Sequence, residues 1–295
     1  MIIEANAKIN LALDILHKRA DGYHEVEMVM QTVALADEVG LYEEPEGIIV
    51  ETNIPGLDSG PSNLAYRAAS LVIKTYGVRR GVRIILNKRI PMAAGLAGGS
   101  SDAAAVLKGL NRLWSLGLSL GELEKLGATL GSDVPFCLNG GTMLATGRGE
   151  VLSPLTFLPH IWVVLAKPPV DVSTGWVYNN YSPASVSVRP DIQGMVECLA
   201  TRDFIGIAGR MGNVLESVTI AAHPEIAELK KVMYENGAVA SMMSGSGPTV
   251  FGLTTDREQA CSVAEAIRRQ SDAWVIVTET VDSGGGEIWN AGCRP

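Results

Sequence analysis

The feature that most constrains the fold is a glycine-rich segment between a short apolar stretch and a helical pattern. Arg83 to Leu86 before it predicts a strand, and apolar residues from Ala103 to Trp114 after it recur at helical spacing. A glycine loop at the start of a helix exposes unpaired backbone N–H groups, which bind anions. The segment therefore predicts a phosphate-binding loop, and its members are Pro91, Met92, Ala93, Ala94, Gly95, Leu96, Ala97, Gly98, Gly99, Ser100 and Ser101.

Two common nucleotide motifs do not fit this segment. A P-loop requires a Gly-Lys dipeptide, which the chain lacks. The dinucleotide fingerprint G-x-G-x-x-G does not match the spacing of Gly95, Gly98 and Gly99. A plain glycine turn that packs the helix against the strand stays open as an alternative.

Composition excludes several classes of protein. The 295 residues carry 24 Lys plus Arg against 32 Asp plus Glu, a formal charge of −8, without the basic run that nucleic-acid binding needs. No apolar run approaches the roughly 20 residues of a membrane helix, and the N-terminus is unlike a secretory signal. The scattered cysteines suit reduced thiols, not disulfides or zinc. We expect a cytoplasmic protein that binds neither nucleic acid nor membrane, with packing cysteines Cys137, Cys198, Cys261 and Cys293.

The N-terminal segment predicts a β-hairpin. Ala5 to Ile15 alternates apolar and polar residues, which is typical of a half-buried strand and puts Lys8 and Asn10 on one face. Asp21-Gly22 has turn chemistry, and Val26 to Ala36 returns as an apolar strand.

The rest of the chain alternates helices and strands without strict βαβ order, which favours an α+β fold. Ser62 is the expected N-cap of a helix that runs to Tyr76, and Gly131 ends a helix over Leu120 to Leu130. Prolines between 152 and 159 suggest a boundary, so we expect domains at 1–155 and 156–295, with a loose tail from Ser283 that contains Gly284 to Gly286. The second half predicts strands at 161–166, 249–254 and 273–279, a loop at 167–175, and helices at 191–200, 203–209, 213–221, 224–236 and 257–270.

Three motifs together resemble those of the GHMP kinases, named for galactokinase, homoserine kinase, mevalonate kinase and phosphomevalonate kinase. They are Ala5 to Leu11, the glycine loop that starts at Pro91, and a second glycine-rich loop from Met243 to Thr249. The resemblance implies ATP-dependent phosphorylation of an alcohol. It also implies two domains with a site between them: an N-terminal domain like the second domain of ribosomal protein S5, and a ferredoxin-like C-terminal domain.

The resemblance also implies a catalytic pair. Asp133 would accept the proton of the substrate hydroxyl, and Lys8 would hold Asp133 ionised and polarise the attacking oxygen. Two ordinary readings compete with these roles. A single lysine on a strand usually faces solvent, and an aspartate before Val134-Pro135 is often a helix cap.

Within the family, Asp21-Gly22-Tyr23-His24 is typical of members whose substrate carries cytidine diphosphate. Tyr23 and His24 would recognise the base, with Tyr178 as a second aromatic across it. Thr174 would lie near the diphosphate or polyol, and Asn10 would hydrogen-bond the substrate. A turn tyrosine and a core aromatic are the competing readings of the two tyrosines.

The resemblance assigns ATP to the glycine loop, with Asn63 and Lys88 near the adenine and Ser100 or Ser101 offering a hydroxyl. No protein ligand of Mg²⁺ is identifiable, so the ion is expected to arrive on ATP. We expect a monomer or homodimer. Another small-alcohol GHMP kinase and a non-catalytic ligand sensor on the same scaffold stay open as alternatives. To attract two anions, seven cations are expected to converge in part on the cleft: Lys8, Lys18, Arg19, Lys88, Arg89, Arg148 and Lys167.

Overall fold

The computed structural model describes residues 1–158 and 160–282, so the predicted tail from Ser283 lies outside the described residues. The described strands are β1 (Ile2–Lys18), β2 (His24–Glu44), β3 (Ile48–Thr52), β4 (Gly81–Asn87), β5 (Thr142–Thr146), β6 (Val151–Pro154), β7 (Trp162–Lys167), β8 (Gly212–Asn213), β9 (Ala240–Met243), β10 (Val250–Thr254) and β11 (Trp274–Glu279). The described helices are α1 (Leu64–Tyr76), α2 (Gly98–Leu113), α3 (Leu120–Leu130), α4 (Val134–Asn139), α5 (Thr174–Asn180), α6 (Ile192–Thr201), α7 (Phe204–Arg210), α8 (Glu216–Ala222), α9 (Glu225–Glu235) and α10 (Arg257–Gln270), with a 3-10 turn at Pro183–Ser185.

The first sheet is built around the long β1–β2 hairpin. Its order is β3-β4-β2-β1-β8, and β5 pairs with β2 and then with β6. The length of β2 lets it pair with β4 through Glu38 to Glu44 and with β5 through Met28 to Gln31. The β1–β2 register shifts on either side of the segment from Lys8 to Asn10. Such irregularities re-aim side chains locally, and here they flank two predicted site residues.

The prediction that β1 is half-buried is wrong, because both of its faces are covered. On the predicted apolar face Ile9 and Leu11 are fully buried, and on the predicted polar face Asn10 and Asp14 are buried as well. Lys8 is consequently only 4% exposed. A buried lysine needs a charged or polar partner, because burial of an unpaired charge is costly.

The second sheet is antiparallel, in the order β11-β7-β10-β9. It is joined to the first sheet by hydrogen bonds: Leu35 N–H donates to Thr278 Oγ1 (2.9 Å) and Gln31 Nε2 donates to the Val281 carbonyl (3.0 Å). The division at 155/156 remains our proposal. One strand beyond that point, β8, pairs with β1 in the first sheet, so the two halves share backbone hydrogen bonds.

The mixed α+β class is confirmed, and several local predictions match the structure. The predicted bounds of α3 and α10 are those observed. The N-cap of α1 is Asn63, whose side chain accepts from Ala65 N–H, and not Ser62, whose hydroxyl bonds Asp58. Strands β5, β6 and β9 and helix α5 were not predicted. None of the helices in the described part of the chain is long and apolar enough to cross a membrane.

Candidate active site

The main candidate site is a cavity of about 760 Å³ where the first sheet, the hairpin turn, helix α5 and the two glycine loops meet. Most of the predicted site residues line it, although they come from distant parts of the chain. Those lining it are Lys8, Asn10, Tyr23, His24, Asn63, Lys88, Pro91 to Ser100, Asp133, Thr174 and Tyr178, with Gly245 and Ser246 from the second glycine loop.

The predicted catalytic pair is together in this cavity. Lys8 Nζ lies 3.9 Å from Asp133 Oδ2, and the Asp133 side chain is 33% exposed toward the cavity. Asp133 precedes α4 but makes no side-chain capping bond, so its carboxylate is not used by the helix. The helix-cap and solvated-lysine readings therefore do not describe these residues. The arrangement joins a buried cation to a carboxylate that a ligand can reach.

Asn10 lines the cavity and contacts Lys8 directly. Its side chain is fully buried, its Oδ1 accepts a hydrogen bond from Lys8 Nζ (2.6 Å), and its Nδ2 lies 3.4 Å from Met28 Sδ. These contacts favour a positioning role, in contrast to the substrate contact that the sequence suggested. The two residues lie on one face of β1, as the alternation predicted.

The two glycine loops touch each other beside Lys8. Gly95 has φ +73, and a Cβ there would lie 2.3 Å from the Ser244 carbonyl oxygen. A Cβ on Gly245 would lie 3.4 Å from both Asn10 Oδ1 and Lys8 Nζ. Lys8 N–H also donates to the Leu96 carbonyl (3.2 Å). Position 95 therefore needs glycine, because backbone approaches backbone there, close to Lys8.

Helix α2 begins at Gly98, so the last four residues of the predicted loop form its first turn, and this N-terminus lines the cavity. The partial positive charge and the unpaired N–H groups of a helix start favour a bound phosphate. Of the two serines, Ser100 lines the cavity, whereas the Ser101 hydroxyl donates to the Asn6 carbonyl (2.6 Å). This contact favours Ser100, and not Ser101, as the hydroxyl that a nucleotide would meet.

Aromatic side chains form another part of the cavity wall. The rings of His24 and Tyr178 lie 5.5 Å apart, and Tyr181, which sequence reasoning missed, lies 6.4 Å from His24. Burial, with a smaller contribution from Lys18, lowers the pKa of His24, so its imidazole is neutral at pH 7. Burial raises the pKa of Tyr178, which keeps its hydroxyl protonated. Tyr23 is 54% exposed, so this part of the wall can stack and hydrogen-bond a planar polar ring.

Thr174 reaches the cavity from the first turn of α5. Its Oγ1 lies 2.9 Å from Ser246 Oγ, so it joins α5 to the second glycine loop. Asn213 secures the same loop, because its Nδ2 donates to the carbonyls of Met243 (2.9 Å) and Gly245 (2.7 Å). Asn213 was missed by sequence reasoning, since an isolated asparagine carries no motif.

Lys88 is part of a buried ion cluster and is not a free cation. Its Nζ bonds Asp37 and lies 2.6 Å from Asp102 Oδ2. Burial, opposed in part by Lys88, raises the pKa of Asp102 to about 7, and Asp102 Oδ1 is buried without a hydrogen-bond partner. Asp37 also accepts from Ile90 N–H (2.8 Å), so the cluster ties β2 to the glycine loop and to α2. Neither aspartate was singled out from the sequence.

Of the seven cations expected near the cleft, Lys8, Lys88 and Arg148 line the cavity and four do not. Three of these four bond elsewhere: Arg19 with Asp21 and Glu25, Arg89 with Glu38, and Lys167 with Val170 and Asp171. The fourth, Lys18, is exposed at the end of β1. The predicted convergence is therefore partial.

The residues present do not fit a protein-held metal ion. Within residues 1–158 and 160–282, no group of three or more His, Cys, Asp or Glu side chains could hold one. In the cavity, the Asp133 carboxylate is paired with Lys8, and Asp102 is engaged by Lys88. Cys137, Cys198 and Cys261 are free thiols, and Cys293 lies outside the described residues.

Comparison with known proteins places this geometry in a family. Residues 63–141 match the family model described as "GHMP kinases N terminal domain", and residues 195–273 match "GHMP kinases C terminal". The 4-diphosphocytidyl-2-C-methyl-D-erythritol kinase of Bacillus licheniformis is 52% identical over 90% of this chain and 92% of its own length. That of Geobacillus kaustophilus is 54% identical, with 85% and 87% covered.

Solved structures have the same fold. A crystal structure of 4-(cytidine 5'-diphospho)-2C-methyl-D-erythritol kinase is 39% identical and superposes with a TM-score of 0.79 over 95% of this chain and all of that one. Homoserine kinase from Cytophaga hutchinsonii is only 20% identical but has a TM-score of 0.78, over 97% and 96% of the two chains. The likeness to homoserine kinase concerns the fold alone, so the fold cannot distinguish the substrates of these enzymes.

Proposed function

Because the chain belongs to the GHMP kinase family, among relatives that are 4-diphosphocytidyl-2-C-methyl-D-erythritol kinases, we propose that it phosphorylates that same cytidine-linked alcohol. The enzyme transfers the γ-phosphoryl group of ATP to the 2-hydroxyl of the methylerythritol, a step of the non-mevalonate isoprenoid pathway. The observation that best supports the proposal is that Lys8 pairs with Asp133 in the same cavity that the N-terminus of α2 lines. An acceptor hydroxyl and a donor phosphate can meet there.

In this proposal Asp133 receives the hydrogen bond of the reacting hydroxyl and orients its oxygen toward the γ-phosphorus. Lys8 stabilises the negative charge that develops on the attacking oxygen. Since phosphoryl transfer depends mainly on positioning and charge stabilisation, orientation by Asp133 contributes as much as proton removal. Asn10 holds Lys8 in place from the same strand (2.6 Å).

The triphosphate is proposed to lie along Gly95 to Ser100, against the start of α2. Backbone N–H groups at such a helix start compensate phosphate charge without basic side chains. Asn63 lies at the adjoining wall of the cavity. Lys88 lies there too, but its charge is already compensated by Asp37 and Asp102. We assign it to supporting the loop under the nucleotide.

Mg²⁺ is proposed to enter with ATP, because the cavity lacks a set of carboxylates that could hold it alone. It would supply charge neutralisation on the phosphates. The enzyme is further proposed to work in the cytoplasm, as scattered unpaired cysteines favour, as a monomer or homodimer.

The cytidine end is assigned to Tyr23, His24 and Tyr178. A neutral imidazole can both donate and accept a hydrogen bond, which suits the amide-like edge of cytosine. Thr174 lies beside the second glycine loop, in reach of the polyol or the diphosphate. These residues would separate this substrate from the small alcohols of other GHMP kinases.

The test of the substrate is an ADP-release assay. The proposal expects turnover with 4-diphosphocytidyl-2-C-methyl-D-erythritol and little or none with mevalonate, homoserine or galactose. Equal or greater turnover with one of those alcohols would make the chain another small-alcohol GHMP kinase. Nucleotide binding without turnover on any of the four would favour the ligand sensor.

A further inference from the structure

Arg148 lies in the tight turn between β5 and β6, and this turn approaches Ser132, the residue before Asp133. Its neighbours Gly147 and Gly149 have φ of +71 and +106. A Cβ on Gly149 would lie 2.8 Å from Met28 Cε and 3.8 Å from Ser132 Cβ. The turn is therefore wedged between β2 and the residue that precedes Asp133.

The same turn is bonded to the hairpin that carries Tyr23. Gly147 N–H donates to Glu25 Oε1 (3.1 Å), and Val26 N–H donates to the Gly147 carbonyl (2.8 Å). The second carboxylate oxygen of Glu25 accepts from Arg19 (2.6 Å). These hydrogen bonds fix the turn that carries Arg148 relative to the hairpin that carries Tyr23.

The guanidinium of Arg148 lies over the Tyr23 ring, with its carbon 4.9 Å from the ring centroid. Its Nε donates to Glu150 Oε1 (3.1 Å), and its side chain is 28% exposed in the cavity wall. Within the described residues, its two terminal amino groups make no hydrogen bond that the structure records. Arg148 is paired with Glu150 through Nε alone and also interacts electrostatically with Asp21, so its two terminal amino groups keep donors for a ligand. The ammonium groups of Lys8 and Lys88 are themselves in contact with polar partners.

We propose that Arg148 binds the diphosphate of the cytidine-linked substrate, an inference that rests on the proposed function. In that substrate the diphosphate separates the base from the reacting polyol. Arg148 contacts Tyr23, and its neighbour Gly149 approaches Ser132, the residue before Asp133. A planar guanidinium can donate two parallel hydrogen bonds to phosphate oxygens. The stacked ring of Tyr23 keeps the group in the cavity wall and orients it. Arg148 thereby determines specificity for a nucleoside diphosphate over a bare nucleoside.

The test compares the affinities of CDP and cytidine by titration calorimetry in the full-length protein and in Arg148→Gln. We expect the variant to bind CDP at least tenfold more weakly and cytidine within about threefold of wild type, since a charge-assisted contact to phosphate is lost. The KM for the diphosphocytidyl alcohol should rise with the loss of CDP affinity, and the KM for ATP should stay within about twofold. Arg148→Lys keeps the positive charge but cannot donate two parallel hydrogen bonds, so its affinity for CDP should lie between those of wild type and Arg148→Gln. Arg80→Gln, which removes an exposed arginine paired with Glu43, is the matched control and should behave as wild type.

The outcomes separate the inference from the function beneath it. If CDP and cytidine weaken together, Arg148 only supports Tyr23 and the inference is wrong. If neither weakens while wild type turns over the substrate, the inference is wrong and the function stands. Wild-type protein that neither binds CDP nor phosphorylates the substrate overturns both. If Arg148→Gln does not fold, Arg148→Lys decides by the same CDP-to-cytidine ratio.

Discussion

Ser244 Oγ donates a hydrogen bond to the carbonyl of Gly95, 3.0 Å away, and so joins the two glycine loops. This contact lets the strand segment, the first loop and the second loop meet around Lys8. It also leaves Gly95 without room for a side chain, because the Ser244 backbone lies where a Cβ would be.

Gly95→Ala is therefore expected to displace the first loop from the second and to disable the nucleotide site. We expect kcat/KM for ATP to fall by at least about 100-fold, because misplacement of phosphate-binding groups costs that much. Gly77→Ala is the matched control, since Gly77 also has positive φ (+62) but open space around it. The control should lose about 1 kcal/mol of stability from backbone strain and retain its kinetics. Equal kinetic losses in the two variants would contradict the steric argument.

Asp133→Asn is expected to separate catalysis from binding. The amide keeps the shape of the side chain but loses the negative charge that faces Lys8 and the reacting hydroxyl. We expect kcat to fall by about 100-fold or more, as for loss of a general base, with ATP affinity within about threefold of wild type. Single-turnover kinetics and nucleotide titration measure the two quantities. Unchanged kcat would refute the role of Asp133.

Asp102→Asn is expected to change how stability depends on pH. Burial raises the pKa of Asp102 to about 7 from an ordinary 3.8, so the folded protein binds this proton more tightly than the unfolded chain. The contribution of Asp102 to stability is therefore full below about pH 4, falls as pH rises toward 7, and stays lost above it. About three pKa units correspond to an upper bound of about 4 kcal/mol.

Because asparagine does not ionise, the variant should lose this pH dependence. The free energy of unfolding of the variant minus that of wild type should therefore be larger at pH 8 than at pH 5. Urea unfolding at pH 5, 6, 7 and 8 measures the difference. Asp58→Asn is the control. Hydrogen bonds, first of all the one from Ser62, lower the pKa of Asp58. The stabilising effect of Asp58 is therefore present at high pH and lost as pH falls, which is the opposite pH dependence. Parallel pH profiles for wild type and Asp102→Asn would show that Asp102 is not the group responsible.

Tyr178→Ala is expected to weaken the cytidine end without affecting ATP. Loss of the ring beside His24 should raise the KM for the diphosphocytidyl alcohol by about tenfold, the usual scale for one stacked base, and leave the KM for ATP unchanged. Tyr178→Phe keeps the ring and should stay near wild type. An equal rise of both KM values in Tyr178→Ala would indicate general damage to the cavity, against a stacking role.

Local chemistry explains which elements the sequence predicted well. Helix α3 has Ser119 as N-cap, with Glu122 completing the capping box, and α10 starts at Asp256, whose side chain accepts from Gln259 N–H. These signals depend only on neighbours in the chain. Helix α5 has an N-cap of the same kind, Ser173, whose hydroxyl accepts from Trp176 N–H (3.3 Å), but its seven residues are too few to show a helical apolar period. Strand β9 is buried throughout, so its period-two pattern is absent.

The residues of the candidate site divide in the same way, into those that a local motif identified and those that the sequence did not reveal. The glycine loop, the hairpin turn and the segment at Asp133 were recognisable because each is a short continuous motif. Asp37, Asp102 and Asn213 were not, since each matters only through contacts with residues far along the chain. The ion pairs of Lys88 were not predicted for the same reason: its two carboxylate partners come from β2 and α2.

By itself the sequence determined an α+β chain and membership in a kinase family, and it predicted a phosphate-binding loop, because backbone propensities and motif spacing are local properties. Tertiary structure alone decided that Lys8 is buried and meets Asp133, that Lys88 is already neutralised, and that Arg148 lies over Tyr23. These relationships depend on strand register and on which faces of the sheets are covered. The sequence gives the charge and the hydrogen-bonding groups of each side chain. Whether those groups are available to a ligand depends on the neighbours of the side chain in the folded protein.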